Sequence, residues 1–124
     1  MSRKSARRDA LFVLYQWDVT GKPLASLHEG ELDPYAQELV DGVAAEAESL
    51  DARIDDASSE WSVERLGALE RNALRIALFE LERGEVPLEA AIDEAVTLAK
   101  RYSSEDAGRL VNGILGRVVR ETTR

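Results

Sequence analysis

Residues 69–84 read "LERNALRIALFELERG", and the reading of this stretch decides the fold. Seven of the nine residues from Ala73 to Leu81 are apolar, with Arg75 and Glu80 the exceptions. A helix that is apolar on most sides must be covered on most sides. The segment therefore predicts a central, buried helix that ends at Gly84.

Apolar residues recur at spacings of three and four on both sides of it, proline is scarce, and no β-branched alternation occurs. The chain is read as all-α, with about six to seven helices in two packed small bundles. It forms one domain over residues 1–124, its N-terminal bundle covering about 1–60 and its C-terminal bundle about 61–124. A first helix runs from about Ser5 to Thr20 and closes at Gly21, with Pro23 just beyond. "GKPLASLHEGEL" is a connection holding at most a short helical turn. Asp33 and Pro34 start the next helix as cap and first residue. Its stripe is Tyr35, Leu39, Val43, Leu50 and Ile54, and it fades around "DDASSE". Ser62 is placed to cap a short helix over Val63–Gly67. Pro87 opens another helix with Leu88, Ala91, Ile92, Ala95, Leu98, Ala99 and Tyr102 on one face. The last helix follows Ser103 or Ser104 and turns Ala107, Val111, Ile114, Leu115 and Val118 inward. Gly108, Asn112 and Gly116 share a stripe of it, which points to a close approach, by a neighbouring helix in preference to a ligand.

The formal net charge of −8 is unevenly spread. Residues 1–8 and 100–124 together carry an excess of +7, whereas residues 9–99 carry −15. Chain ends lie at the surface and often close together, so the two basic stretches can meet. No cysteine is present, which excludes disulfides, thiol catalysis and Cys-ligated zinc and fits a reducing compartment. No apolar run is long enough to span a membrane. The basic front is not read as a signal peptide, because only eight residues separate Asp9 from Asp18 and no small-residue cleavage site follows.

An enzyme is hard to build from these residues. His28 is the only histidine and sits in the acidic connection, and no nucleotide-loop, zinc-protease or calcium-loop motif occurs. Asp55–Asp56 and Glu105–Asp106 are read as capping and solvating carboxylates, with no metal and no cofactor implied. Binding is better supplied. Arg3, Lys4, Arg7 and Arg8 fall within about 140° of one helix arc, which Leu11, Leu14 and Tyr15 continue. A face charged at one end and apolar at the other requires its first turns to overhang the core. Lys100, Arg101, Tyr102 and Arg109 add cations around an aromatic ring. Arginines suit phosphates, and unpaired RNA bases stack on aromatic rings and guanidinium planes. Tyr102 equally completes an apolar stripe. Four to seven phosphate contacts give log K a slope against log salt of roughly −3 to −5 for a single strand.

"ARRDALFVLYQWD", "LERNALRIALFEL" and "VPLEAAIDEAVTLAKRYSSEDAGRLVNGILGRV", in this order, resemble the NusB family of bacterial transcription antitermination factors. The resemblance covers most of the chain and is strongest from Leu66 to Val118. It implies a non-enzymatic, cytoplasmic, all-helical protein that binds boxA RNA of ribosomal RNA operons together with NusE, a small-subunit ribosomal protein. NusA, NusG and RNA polymerase complete the complex it implies. Arg3, Lys4, Arg7 and Arg8 match the family's basic motif, and Lys100–Leu110 its second RNA-facing region, within which Lys100, Tyr102 and Arg109 are selected. Tyr15 and Glu70 fall where the family meets NusE. Glu70 also suits simple stabilisation of a helix N-terminus, and Tyr15 a packing role. The chain departs from the family pattern over residues 21–33, where relatives carry a fuller second helix.

Two readings stay open at this stage. In one, the chain is an RNA-binding adaptor, and reversing Arg7 and Arg8 to Glu abolishes RNA binding while melting stays nearly intact. In the other it is a helical interaction module or homodimer whose basic ends touch its own acidic surface.

Overall fold

Among the described residues five α-helices are present: α1 (Arg3–Thr20), α2 (Pro34–Ala57), α3 (Ala68–Arg83), α4 (Leu88–Tyr102) and α5 (Glu105–Thr122). Two single 3-10 turns, Leu24–Ser26 and Val63–Arg65, lie in the connections. The computed structural model describes residues 2–58 and 62–122. Ser59 and Glu60, at the predicted fading end of α2, and Arg124 of the basic terminal stretch lie outside the described residues.

The helix number corrects the expectation of six to seven. Between Thr20 and Pro34 the chain carries Gly21 and Gly30 at φ 70° and 67°, with Pro23 between them, and only the Leu24–Ser26 turn fits. The short helix expected at Val63–Gly67 is likewise one 3-10 turn. Ser62 makes no side-chain cap there; the Val63 N–H donates to the Asp55 carboxylate at the end of α2. That contact gives the Asp55–Asp56 pair the capping role read for it. Elsewhere the local signals act as read. Asp33 accepts from the Tyr35 N–H at 3.0 Å, and Ser104, one of the two serines considered, accepts from Ala107 N–H at 3.0 Å. α1 starts two residues earlier than predicted because Ser2 caps it, accepting from the Ser5 N–H.

α3 touches each of the other four helices. Leu74 and Leu78 are fully buried, and a single apolar cluster joins residues of all five helices. The two charged residues inside the apolar run of α3 are also buried, and each fastens α3 to its neighbours. Glu80, 2% exposed, accepts from Arg7 Nε of α1 at 2.9 and 3.0 Å and from the Tyr35 hydroxyl of α2. Burial, then the hydrogen bond and charge of Glu80, push the Tyr35 phenol well above its ordinary pKa, so its proton stays available to this bond.

The second clamp lies toward the other end of α1. Arg75 donates bidentately to Asp51 of α2 at 2.7 Å and reaches Asp18 of α1 at 3.1 Å. Arg71 grips Asp18 bidentately at 2.7 and 2.9 Å and donates to the Val63 and Leu66 carbonyls. Asn72 adds a bond to Asp18 at 2.9 Å. Burial works against the ionised Asp18 carboxylate, but the hydrogen bonds from Arg71 and Asn72 and the charges of Arg71 and Arg75 outweigh it. Its pKa therefore lies below the ordinary carboxylate value. Among the described residues no buried side-chain polar atom lacks a partner.

Two outcomes follow from these clamps. Glu80→Ala strands the Arg7 guanidinium and the Tyr35 hydroxyl in the core and is expected to cost about 3–5 kcal/mol, read by urea unfolding. The stabilisation from Asp18 is complete at neutral pH and persists above its unfolded-state pKa of about 3.9. It disappears as pH falls through the lower folded-state value. Asp18→Asn is therefore expected to lower the neutral-pH melting temperature and to flatten the acid limb of stability against pH.

Candidate functional site

The four cations at the front of α1 do not share one surface. Residues 3 and 7 form one row and residues 4 and 8 the next, and the rows meet different neighbours. The Arg3 guanidinium stacks on the Tyr35 ring at 4.6 Å, beside the Glu80 clamp. Arg7 is 6% exposed and spent on Glu80. The expected overhang of charged turns is thus replaced, at Arg7, by a buried ion pair. Reversing Arg7 would set two carboxylates against each other in the core, so the expectation that an Arg7/Arg8 double reversal leaves melting intact does not hold.

Lys4 and Arg8 face α4 instead. With Ser5 they form one wall of a cleft of about 160 Å³, and Glu94, Thr97, Leu98, Arg101 and Tyr102 form the other. The two basic stretches of the sequence meet here, as their position at the chain ends suggested. Lys4 and Arg8 keep side-chain exposures of 70% and 44%, enough to reach a ligand, although Arg8 also donates to neighbouring Asp9 at 3.3 Å. Arg101 lies over the Tyr102 ring at 5.6 Å.

Of the residues selected in the second basic region, Tyr102 alone lines this cleft. Lys100 lays its aliphatic stem over Gly108 of α5, where a Cβ would collide with it. This is the close helix approach anticipated for the glycine stripe. It holds at Gly108 and not at Gly116, where a Cβ would meet only Arg120 of the same helix at 3.5 Å. Arg109 pairs with Asp106 one turn away on the exposed face of α5. Arg101 was named in the sequence only among the cations around the ring and not among the chosen RNA-facing residues, and Glu94 was not singled out at all. The available signal was spacing: residues 94, 97, 98 and 101 share one face of α4, the face turned to Lys4 and Arg8.

A second depression, of about 470 Å³, adjoins the first. Phe12, Tyr15, Gly67–Glu70, Tyr102 and Ser103 line it, so both residues assigned to the partner contact lie in the same groove. Phe12 and Tyr15 are 38% and 41% exposed, large apolar surface for a free helix face. Phe12 meets Tyr102 edge-on, ring centroids 4.9 Å apart. Glu70 stands in the first turn of α3 and is 9% exposed, its carboxylate occupying the space that a side chain at Gly67 would need. Tyr102 is the common wall of groove and cleft. His28 stands apart, its Nδ1 3.0 Å from the Gly30 carbonyl. Among the described residues no group of three His, Asp or Glu could hold a metal ion, and no helix is long and apolar enough to cross a membrane.

Fold and site together define an all-α chain with a two-part candidate surface, cationic on one side of a tyrosine and apolar with a carboxylate on the other. The chain belongs to the NusB family, whose sequence model matches residues 4–120. It is 48% identical over 122 residues to the transcription antitermination protein NusB of Rubrobacter xylanophilus, covering 93% of this chain and 88% of that one. Identity to the NusB of Desulforudis audaxviator is 42% over 132 residues, covering 98% and 95% of the two chains. Among solved structures, a chain from the crystal structure of antitermination factors NusB and NusE in complex with dsRNA superposes with a TM-score of 0.85. That chain is 33% identical, and the match covers 96% of each.

Proposed function

We propose that this chain is a non-enzymatic transcription antitermination factor of the cytoplasm. It binds boxA RNA of ribosomal RNA operons together with NusE, in a complex with NusA, NusG and RNA polymerase. The observation that carries this reading is the shared Tyr102 wall, which sets a cationic cleft for RNA directly beside an apolar groove for a protein. Family membership and the neighbour solved with NusE and dsRNA support both halves of the assignment.

Within this reading Lys4, Arg8 and Arg101 contact phosphates and Tyr102 offers a ring to a base. Arg7 and Arg3 hold the front of α1 in place, Arg7 through Glu80 and Arg3 over Tyr35. Lys100, packed on Gly108, and Arg109 beside it in α5 lie outside the cleft lining and act on RNA that extends past it. Tyr15 and Glu70 receive NusE. The division into bundles at about residues 60 and 61 belongs to the same reading, supported by the pairing of α1 with α2 and of α4 with α5, with α3 shared.

Titrating labelled boxA RNA by fluorescence anisotropy, with and without NusE and against a scrambled RNA, tests the assignment. Preferential boxA binding strengthened by NusE is the expected result. Equal weak binding to both RNAs, unmoved by NusE, with mass rising with concentration, favours the homodimeric interaction module instead. Three phosphate contacts give a salt slope of about −2, and Arg8→Gln with Arg101→Gln is expected to bring it to about −0.7 without changing the melting temperature. Gly67→Ala tests the groove. The backbone there, φ −60° and ψ 147°, accepts alanine, but the new methyl displaces the Glu70 carboxylate. NusE affinity measured by calorimetry should fall about tenfold, near the low end of the roughly 1.5–3 kcal/mol of a charge-assisted hydrogen bond. An unchanged affinity removes Glu70 from the contact.

A further inference from the structure

The basic cleft holds one residue that phosphate binding leaves without a purpose. Glu94 places a carboxylate among Lys4, Arg8 and Arg101, where it repels the anion the cations would attract. Its pairing with Lys4 does not account for it. The two charges are 3.7 Å apart, the lysine side chain is 70% exposed, and such surface pairs contribute little. At 22% side-chain exposure the carboxylate remains reachable from the cleft.

The remaining walls suit a flat, partly apolar ligand. Tyr102 supplies a ring with the Arg101 guanidinium over it, and Thr97, one turn beyond Glu94 on the same face, adds a hydroxyl. A volume of about 160 Å³ is the scale of one planar ring system rather than a length of RNA chain. Unpaired bases are bound in this way, stacked on aromatic or guanidinium planes and read along their Watson–Crick edges.

The geometry points to a pocket for one unpaired base bearing hydrogen-bond donors on its Watson–Crick edge, with Glu94 as the residue that reads it. Guanine fits best, because its N1–H and N2–H groups present two adjacent donors to the two carboxylate oxygens. Cytosine and adenine offer one amino group each. Uracil is rejected, since its single N3–H lies between two carbonyl oxygens that face the carboxylate. Lys4, Arg8 and Arg101 then neutralise the flanking phosphates, which fix position without reading sequence. The inference rests on the reading of this cleft as the RNA surface.

The test uses the full chain, boxA RNA and a set of RNAs in which one non-uracil position at a time is changed to uracil. The wild type is expected to lose about tenfold in affinity at one position, the one seated in the cleft. Glu94→Gln, whose amide can donate to uracil, is expected to reduce that loss to less than about threefold and leave the other positions as they were. Arg101→Gln, by contrast, is expected to weaken all the RNAs by a similar factor. If Glu94→Gln tightens every RNA equally and keeps the wild-type discrimination, Glu94 only repels phosphate and the base pocket is overturned while the RNA-binding function stands. If the wild type binds none of the RNAs, both are overturned.

Discussion

Everything in this fold depends on how α3 carries charge through the core. A helix buried on nearly every side has no solvent for Arg75 or Glu80, so each must find its counter-charge on another element. Glu80 finds Arg7 and Tyr35, and Arg75 finds Asp51 and Asp18. Both sets join α1 and α2 to α3, toward opposite ends of α1. Apolar contacts alone would tolerate some sliding of these helices past one another. Charge-assisted arginine–carboxylate bonds are directional, and those from Arg7 to Glu80 and from Arg71 and Arg75 to Asp18 set α1 at one height and one rotation about its own axis.

That rotation makes the site. With Arg7 turned to Glu80, the adjacent row of Lys4 and Arg8 is turned to α4, and the stretch Lys4–Tyr15 of α1 borders first the cleft and then the groove. Residues 9–99 carry a net charge of −15, against +7 on the two basic ends. An overall negative field opposes a polyanion, so attraction depends on where the cations are gathered. A basic helix front on an acidic protein is therefore a way of addressing one face.

The fold was legible in the sequence where a local signal decides the outcome. Caps, glycine stops and three–four spacing located all five helices, and the stripe from Leu39 to Ile54 is buried as read. The connection over residues 21–33 was also legible, as a turn at most. What stayed hidden was partnership across the chain. Arg7 and Arg8 are neighbours in a basic run, and nothing local to them tells which one is committed to Glu80, 73 residues away. Arg101 and Glu94 matter because α4 faces α1, a fact of tertiary placement. Tyr15 and Glu70, by contrast, came from family resemblance, and residue spacing alone left each with an ordinary structural role.

The ring of Tyr102 has one further consequence. It is a partition held in common by two chambers, braced by Phe12 on one side and Arg101 on the other. A ligand that tilts the ring while settling into one chamber reshapes the boundary of its neighbour. Thermodynamic linkage makes such an influence equal in both directions. The order in which the chambers fill then has no effect on the final balance, only on the route by which it is reached.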